Sequence, residues 1–377
     1  MWERSGERLC LHREQWAALL QQVAAAGYTL IGPRQRSRTI AYGVLDHGTD
    51  LPTGLGDRQG PGTYRLTNRG DAALFGHRAP QDSWKQFLYV PQRRLWRARR
   101  EGRDLAVLEE ARERPRLALI GVRPCDLQAI AVQDLTFLDG PFVDADYRAR
   151  REGLFTVAVH CVEPGETCFC ASMGTGPRAT RGFDLALTEL LDAGGHRFLV
   201  EVGTEAGARM LAKITAERAT ERDAGLGEGL LKEAARKMGR TLEAEDLPEL
   251  LARNLEHPRW DDVAQRCLAC TNCTLVCPTC FCGNIEDRSS LSGREAERVQ
   301  RWDSCYTLDH SRLHGGPVRA SHRARYRQWL THKVGTWVAQ FGVSGCVGCG
   351  RCITWCPVGI DLTEELGAIR ASDGALA

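Results

Sequence analysis

Two cysteine runs constrain this chain more than any other feature of its 377 residues. Cys267-x2-Cys270-x2-Cys273-x3-Cys277-Pro278 is repeated without deviation as Cys346-x2-Cys349-x2-Cys352-x3-Cys356-Pro357. Three thiolates of one tight loop can converge on three irons of a cubane, while the fourth points away and reaches the cluster of the other run. The spacing therefore predicts two [4Fe–4S] clusters. One is expected on Cys267, Cys270, Cys273 and Cys356, the other on Cys346, Cys349, Cys352 and Cys277. Crossed ligation ties two distant segments together and makes cluster insertion part of folding. Pro278 and Pro357 fix the backbone just after each fourth ligand. Small residues at Ala269, Gly345, Gly348 and Gly350 let main-chain N–H groups approach cluster sulfur. Structural zinc is the competing reading, but zinc ribbons separate two CxxC pairs by roughly 15–20 residues. Four cysteines in one short run closed by Cys-Pro, twice over, fit iron–sulfur instead.

The rest of the composition agrees with a reducing environment. The chain has 16 cysteines, and its first residues, MWERSGERLCLHREQW, carry charge where a signal peptide needs an apolar core. No apolar run approaches the roughly 20 residues that span a bilayer. A cytoplasmic location without membrane attachment is expected, so the cysteines point to metal or redox chemistry rather than disulfides. A net charge of +2 gives no electrostatic case for nucleic acid.

Apolar patterning predicts an N-terminal α/β domain ahead of a mostly helical cysteine domain, and with the two runs the chain looks like an α+β multidomain protein ending in an α-helical ferredoxin-like 4Fe-4S dicluster domain. Residues 9–26 have helical periodicity, YTLIGPR after Gly27 reads as a strand, and the Gly- and Pro-rich 48–71 as a loop. LALIGV (117–122), LFTVAVH (154–160) and FLVEVG (198–203) read as strands, with a helix from about 126 to 138 between the first two. The expected divisions are an α/β domain at 1–204, a helical connector at 205–257 broken by 222–229, and the cluster domain at 258–377. Between the runs, ERVQRWDSCYTLDHSRLHG and RARYRQWLTHKVGTWVAQFG are both helical in pattern. That arrangement looks like the α-helical ferredoxin domain of respiratory and heterodisulfide reductase-type subunits.

A second cysteine group is less regular. Cys125 and Cys161 lie just beyond two predicted strands, and Cys168 and Cys170 follow in the next loop. Ligands collect at the carboxyl edge of open α/β sheets, so these four are expected to hold a third centre, iron–sulfur rather than zinc. The alternative is that they pack as small hydrophobes or form a redox pair. Packing is the expectation for Cys280, Cys282 and Cys305, and Cys10 reads as an incidental residue on a helix. His160, His310, His314, His322 and His332 are expected in polar or packing roles, and Asp126 as a helix cap. Arg266, Arg301 and Arg351 are near enough to the runs to stabilise reduced clusters, although a solvated surface is the commoner place for arginine.

GVRPCDLQAI (121–130), CFCASMGTGP (168–177), CLACTNCTLVCPTCFC (267–282), WDSC (302–305) and GCVGCGRCITWCPVGIDLTEEL (345–366) together resemble the β subunit of soluble NAD(P)-linked [NiFe] hydrogenases, the sulfhydrogenases. They are also similar to the electron-transfer subunit of anaerobic sulfite reductase, a 4Fe-4S dicluster protein. The resemblance runs from about residue 28 to 366. It implies a non-catalytic electron-transfer subunit, passing single electrons between a flavin subunit that binds NAD(P)H and a catalytic partner. That partner is a hydrogenase small and large pair, or a sulfite reductase under the second likeness. No flavin or nicotinamide is expected on this chain, because Gly54-Leu-Gly56 and Gly174-Thr-Gly176 do not open a helix after a strand. The competing class is an enzyme in its own right, a heterodisulfide or sulfur reductase acting at Cys280, Cys282 and Cys305.

Overall fold

LALIGV and FTVAV are apolar throughout, and strands of that kind must lie inside a sheet covered on both faces. The computed structural model, which describes residues 8–46, 50–108, 110 and 113–374, places them at the centre of an eight-stranded mixed sheet. Strand β1 (Leu9–His12) is followed by helix α1 (Trp16–Ala25) and the antiparallel pair β2 (Thr29–Arg36) and β3 (Thr39–Val44). A hairpin of β4 (Leu55–Gly60) and β5 (Thr63–Asn68) precedes the short α2 (Lys85–Leu88) and a second hairpin, β6 (Gln92–Glu101) and β7 (Asp104–Leu108). Then β8 (Leu117–Val122), α3 (Pro124–Phe137), α4 (Ala145–Glu152) and β9 (Phe155–Val159) make a parallel crossover unit. β10 (Leu185–Asp192) runs parallel to β9 and turns back into β11 (Gly195–Val202). After α5 (Glu205–Leu211), β12 (Glu217–Arg218) closes the far edge against β1. The spatial order is β12-β1-β11-β10-β9-β8-β2-β3.

Alternate residues of the central strands feed two cores. Ala118, Ile120, Phe155 and Val157 pack with Trp16, Leu19 and Val23 of α1 on one face. Leu119, Val122 and Ala158 pack with Leu127 and Ile130 of α3 on the other.

Helices dominate the C-terminal half: α6 (Glu221–Arg236), α7 (Leu247–Arg253), α8 (Arg259–Arg266) and α9 (Asn272–Leu275). β13 (Gly283–Ser289) and β14 (Glu295–Trp302) interrupt them. The chain ends with α10 (His322–Thr331), a π turn at His332–Thr336, α11 (Trp337–Phe341), α12 (Arg351–Thr354) and α13 (Leu362–Ala371). Trp260, Tyr326, Trp329, Leu330, Ile353 and Leu366 form a third core against which several run cysteines pack. Among the described residues, no helix is long and apolar enough to cross a membrane.

Four local expectations fail. Residues 9–12, expected in a helix, form β1, because pairing with Phe198 and Val200 of β11 outweighs their helical period, and Cys10 is therefore on a strand. The expected loop at 48–71 contains the β4–β5 hairpin, turned at Gly62 with φ +67°. Residues 222–229 do not break the connector: they lie inside α6, where Gly227 lets the helix approach Leu199 of the sheet. ERVQRW, helical in pattern, is most of β14, which pairs with β6 and joins the cluster region to the second hairpin.

Candidate metal centres

The two cysteine runs fold into the same loop. Ala269 and Thr271 have φ of +50° and +69°, and their counterparts Gly348 and Gly350 have +65° and +73°. Ala and Thr adopt this left-handed backbone only at a cost of about 1–2 kcal/mol, so the conformation is imposed, not preferred. It curls the main chain round the thiols. Ala269 N–H points at Cys267 Sγ at 3.4 Å, Gly348 N–H at Cys346 Sγ at 3.5 Å, and Ile360 N–H at Cys356 Sγ at 3.3 Å. The third cysteine of each run sits on the short helix after the loop, Cys273 on α9 and Cys352 on α12.

The fourth cysteine of the second run faces the first. Cys356 lines one cavity with Cys267, Cys270, Cys273 and Cys352, walled by Tyr306, Tyr326, Trp329, Ile360 and Leu362. Cys277 lies in turn among the second run, close enough to Cys346, Cys349 and Cys352 to perturb each of them. Burial makes Cys346, Cys349 and Cys352 reluctant to ionise, with Cys346 pushed up to about 12. Thiolates crowded in a dry pocket need a bound cation, and an all-sulfur donor set suits iron–sulfur. The residues fit the group.

One cation is built in. Buried Lys333, in the π turn, reaches Cys277 Sγ at 3.1 Å, Thr279 Oγ1 at 3.1 Å and Gly345 O at 3.3 Å. Burial opposes its charge, but Cys277, Cys280 and Cys346 outweigh that and hold it protonated. Gly345 leaves no room for a side chain, since a Cβ there would lie 2.6 Å from the Trp337 ring.

Cys125, Cys161, Cys168 and Cys170, from two strand ends and a loop, line one cavity with Arg78, Arg123, Met238 and Cys349. The parallel register, Val122 beside Ala158, carries the ends of β8 and β9 to the same edge, so Cys125 at the start of α3 meets Cys161. Burial pushes Cys168 up to about 12. Among the described residues, no three His, Cys, Asp or Glu side chains are grouped to hold a single metal ion. The 167–170 segment lies directly on the second run: Phe169 N–H donates to Gly348 O at 2.9 Å, and a Cβ on Gly348 would lie 2.7 Å from Cys170 N and Cα.

Arg351 and Asp126 bridge these two groups. Both are buried, and they pair through Nη1–Oδ1 at 2.8 Å and Nη2–Oδ2 at 2.9 Å, while Arg351 Nε donates to Pro80 O. Arg351 is thus not on a solvated surface, and Asp126 does not cap α3, whose N-cap is Arg123. Arg266 and Arg301 are half-exposed and pair with Glu365 and Glu286. His160 accepts from Ala179 N–H through Nδ1.

Some contributors carry no local sequence signal. The β4–β5 turn docks on the second run: Gly62 N–H donates to Ile353 O at 3.1 Å, and a Cβ there would lie 2.8 Å from Cys356 O. Tyr64 stacks on Trp355 with centroids 5.0 Å apart. Lys333 and Gly62 were legible only as a charge in a helix and a glycine in a turn. Cys280 lies close enough to Cys277, and Cys282 close enough to Cys305 and His310, for each to perturb the other's ionisation.

Residues 266–360 match the family described as a 4Fe-4S dicluster domain. The chain is 33% identical over 264 residues to the sulfhydrogenase 2 subunit beta of Pyrococcus furiosus, covering 68% of this chain and 74% of that protein. No solved structure matches.

Proposed function

The chain belongs to the iron–sulfur β subunits of the sulfhydrogenases, and from that premise we propose a specific set of ligands and a place in a complex. It is an iron–sulfur electron-transfer subunit. Cys267, Cys270, Cys273 and Cys356 hold one [4Fe–4S] cluster, and Cys346, Cys349, Cys352 and Cys277 hold a second. Cys125, Cys161, Cys168 and Cys170 hold a third. The observation that carries the crossed assignment is the cavity shared by Cys356 and the first run.

Each bound cluster supplies a one-electron site whose potential follows burial, charge and hydrogen bonds to sulfur. The chain's own part is to set those quantities. Lys333 places positive charge beside Cys277, and the Ala269, Gly348 and Ile360 N–H groups donate to ligand sulfur. Arg351 and Asp126 fix the third cysteine group against the second run. Residues 1–204 contribute the third centre, 205–257 the link, and 258–377 the paired clusters. The partners are a flavin subunit that binds NAD(P)H and a hydrogenase catalytic subunit, in the cytoplasm, with no flavin on this chain.

Anaerobic assay of iron and acid-labile sulfide tests the reading: about twelve of each per chain are expected, falling to about eight in Cys125→Ser. About eight in the unaltered protein removes the third centre, and zinc in place of iron removes all three.

A further inference from the structure

Cys282 and Cys305 lie outside the twelve proposed ligands, yet the fold brings them together. Cys282 immediately precedes β13, and Cys305 follows the end of β14. The ladder ends with Gly283 opposite Trp302, and Asp303 N–H extends it by donating to Cys282 O at 2.9 Å. The two residues lie at the base of this hairpin, where Cys282 is close enough to Cys305 and the His310 ring for each to perturb the other's ionisation. His310 Nδ1 is 3.1 Å from Asp303 Oδ2, and Asp303 is fixed by Ser304 N–H at 2.7 Å and Thr307 Oγ1 at 2.9 Å. Both cysteines are free and partly exposed. Each also has a neighbour in the cluster machinery. Cys280, two residues before Cys282, contacts Cys277, and Cys305 is close enough to Cys273 to feel its charge.

We propose that Cys282 and Cys305 form a redox-active dithiol, a two-electron site exchanging electrons with the one-electron clusters of the same chain, with His310 and Asp303 managing a proton. The proposal rests on the iron–sulfur reading of this chain. In the reduced pair Cys282 is the thiolate: the Cys305 hydrogen bond, helped by His310, holds it at about 4 despite burial. Cys305 keeps its proton, because sharing it with Cys282 pushes its own ionisation up. The same thiolate and Asp303 raise His310 and favour its imidazolium. On oxidation the Cys305 S–H bond breaks and the S–S bond forms. Two electrons leave, one to each of two oxidised clusters. One proton departs from Cys305 and a second from His310, whose anionic partner has gone. Reduction runs the same balance backwards. A thiolate held by an imidazolium beside a second thiol is the arrangement that lets a disulfide open and close.

The test uses the anaerobic holoprotein, poised with oxidised or reduced viologen and low-potential dyes, quenched in acid, denatured and alkylated, then read by peptide mass spectrometry. A peptide pair linked through Cys282 and Cys305 is expected in the oxidised sample, and both residues alkylated in the reduced one. Cys305→Ser is expected to lower reductive uptake by two electrons per chain with iron content unchanged. If that variant does not fold, His310→Gln serves: native alkylation of Cys282 at pH 6 should slow about tenfold for each unit by which its pKa rises above 6. Alkylation of both residues at every potential, or undiminished electron uptake in Cys305→Ser, overturns the proposal. So does protection of the pair that ends only when iron is removed. Iron is assayed separately: full iron without the disulfide sinks the dithiol alone, whereas a disulfide formed by dye in iron-poor protein sinks the cluster reading and leaves the dithiol standing.

Discussion

Lys333 is the residue whose role follows most directly from Coulomb's law. Reduction adds negative charge to a cluster, so a buried ammonium 3.1 Å from Cys277 Sγ, a proposed ligand, favours the reduced form. Lys333→Gln is therefore expected to shift the potential of the neighbouring cluster to more negative values in a titration followed by electron paramagnetic resonance. An unchanged potential would mean that another group supplies the charge. Asp126→Asn tests the other buried ion pair. It leaves Arg351 charged and unpaired, which costs about 3–5 kcal/mol, and the thermal midpoint of the holoprotein should fall by several degrees. At this scale the proposed ligand cysteines could be picked out because their spacing is local. Arg351 and Asp126 could not: each is an ordinary charged residue until the fold places one on the other.

The matched cysteine loops make different predictions for their equivalent positions, Ala269 and Gly348. Ala269→Gly relieves a left-handed backbone of about 1 kcal/mol and loses about 0.5–1 kcal/mol to unfolded-chain entropy, so stability should barely change. Gly348→Ala, by contrast, drives a Cβ to 2.7 Å from the Cys170 backbone. The purified variant should lose about four irons per chain; full iron content would show that the 167–170 segment can give way. The fully apolar strands β8 and β9 were readable because burial on both faces leaves a continuous apolar run. β1 and β14 were not readable, since each is stabilised by a partner far away in sequence, β11 and β6. The glycines of 222–229 read as a break, but in α6 Gly227 lets the helix approach the sheet, and Thr220 caps the start by accepting from Asp223 N–H.

At the scale of the whole molecule, the buried cores differ in what packs against them. The eight-stranded sheet has two cores of ordinary side chains, whereas the C-terminal core has cysteines packed against it. Removing iron with a chelator under anaerobic conditions is expected to strip hydrogen-exchange protection from α8 through α13 first, while β8 to β11 keep theirs. Uniform loss of protection would show a single cooperative unit. The β6–β14 ladder and the docked β4–β5 turn cross between the two parts, so the cluster region is held to the sheet by backbone contacts as well as by thiols.

Crossed ligation is tested most directly by anaerobic native mass spectrometry of Cys267→Ala, Cys356→Ala and the double variant. If the two cysteines serve one cluster, the double variant lacks a single Fe4S4 unit, the same loss as either single variant. Two missing units in the double variant would place Cys267 and Cys356 on different clusters and contradict the crossed arrangement.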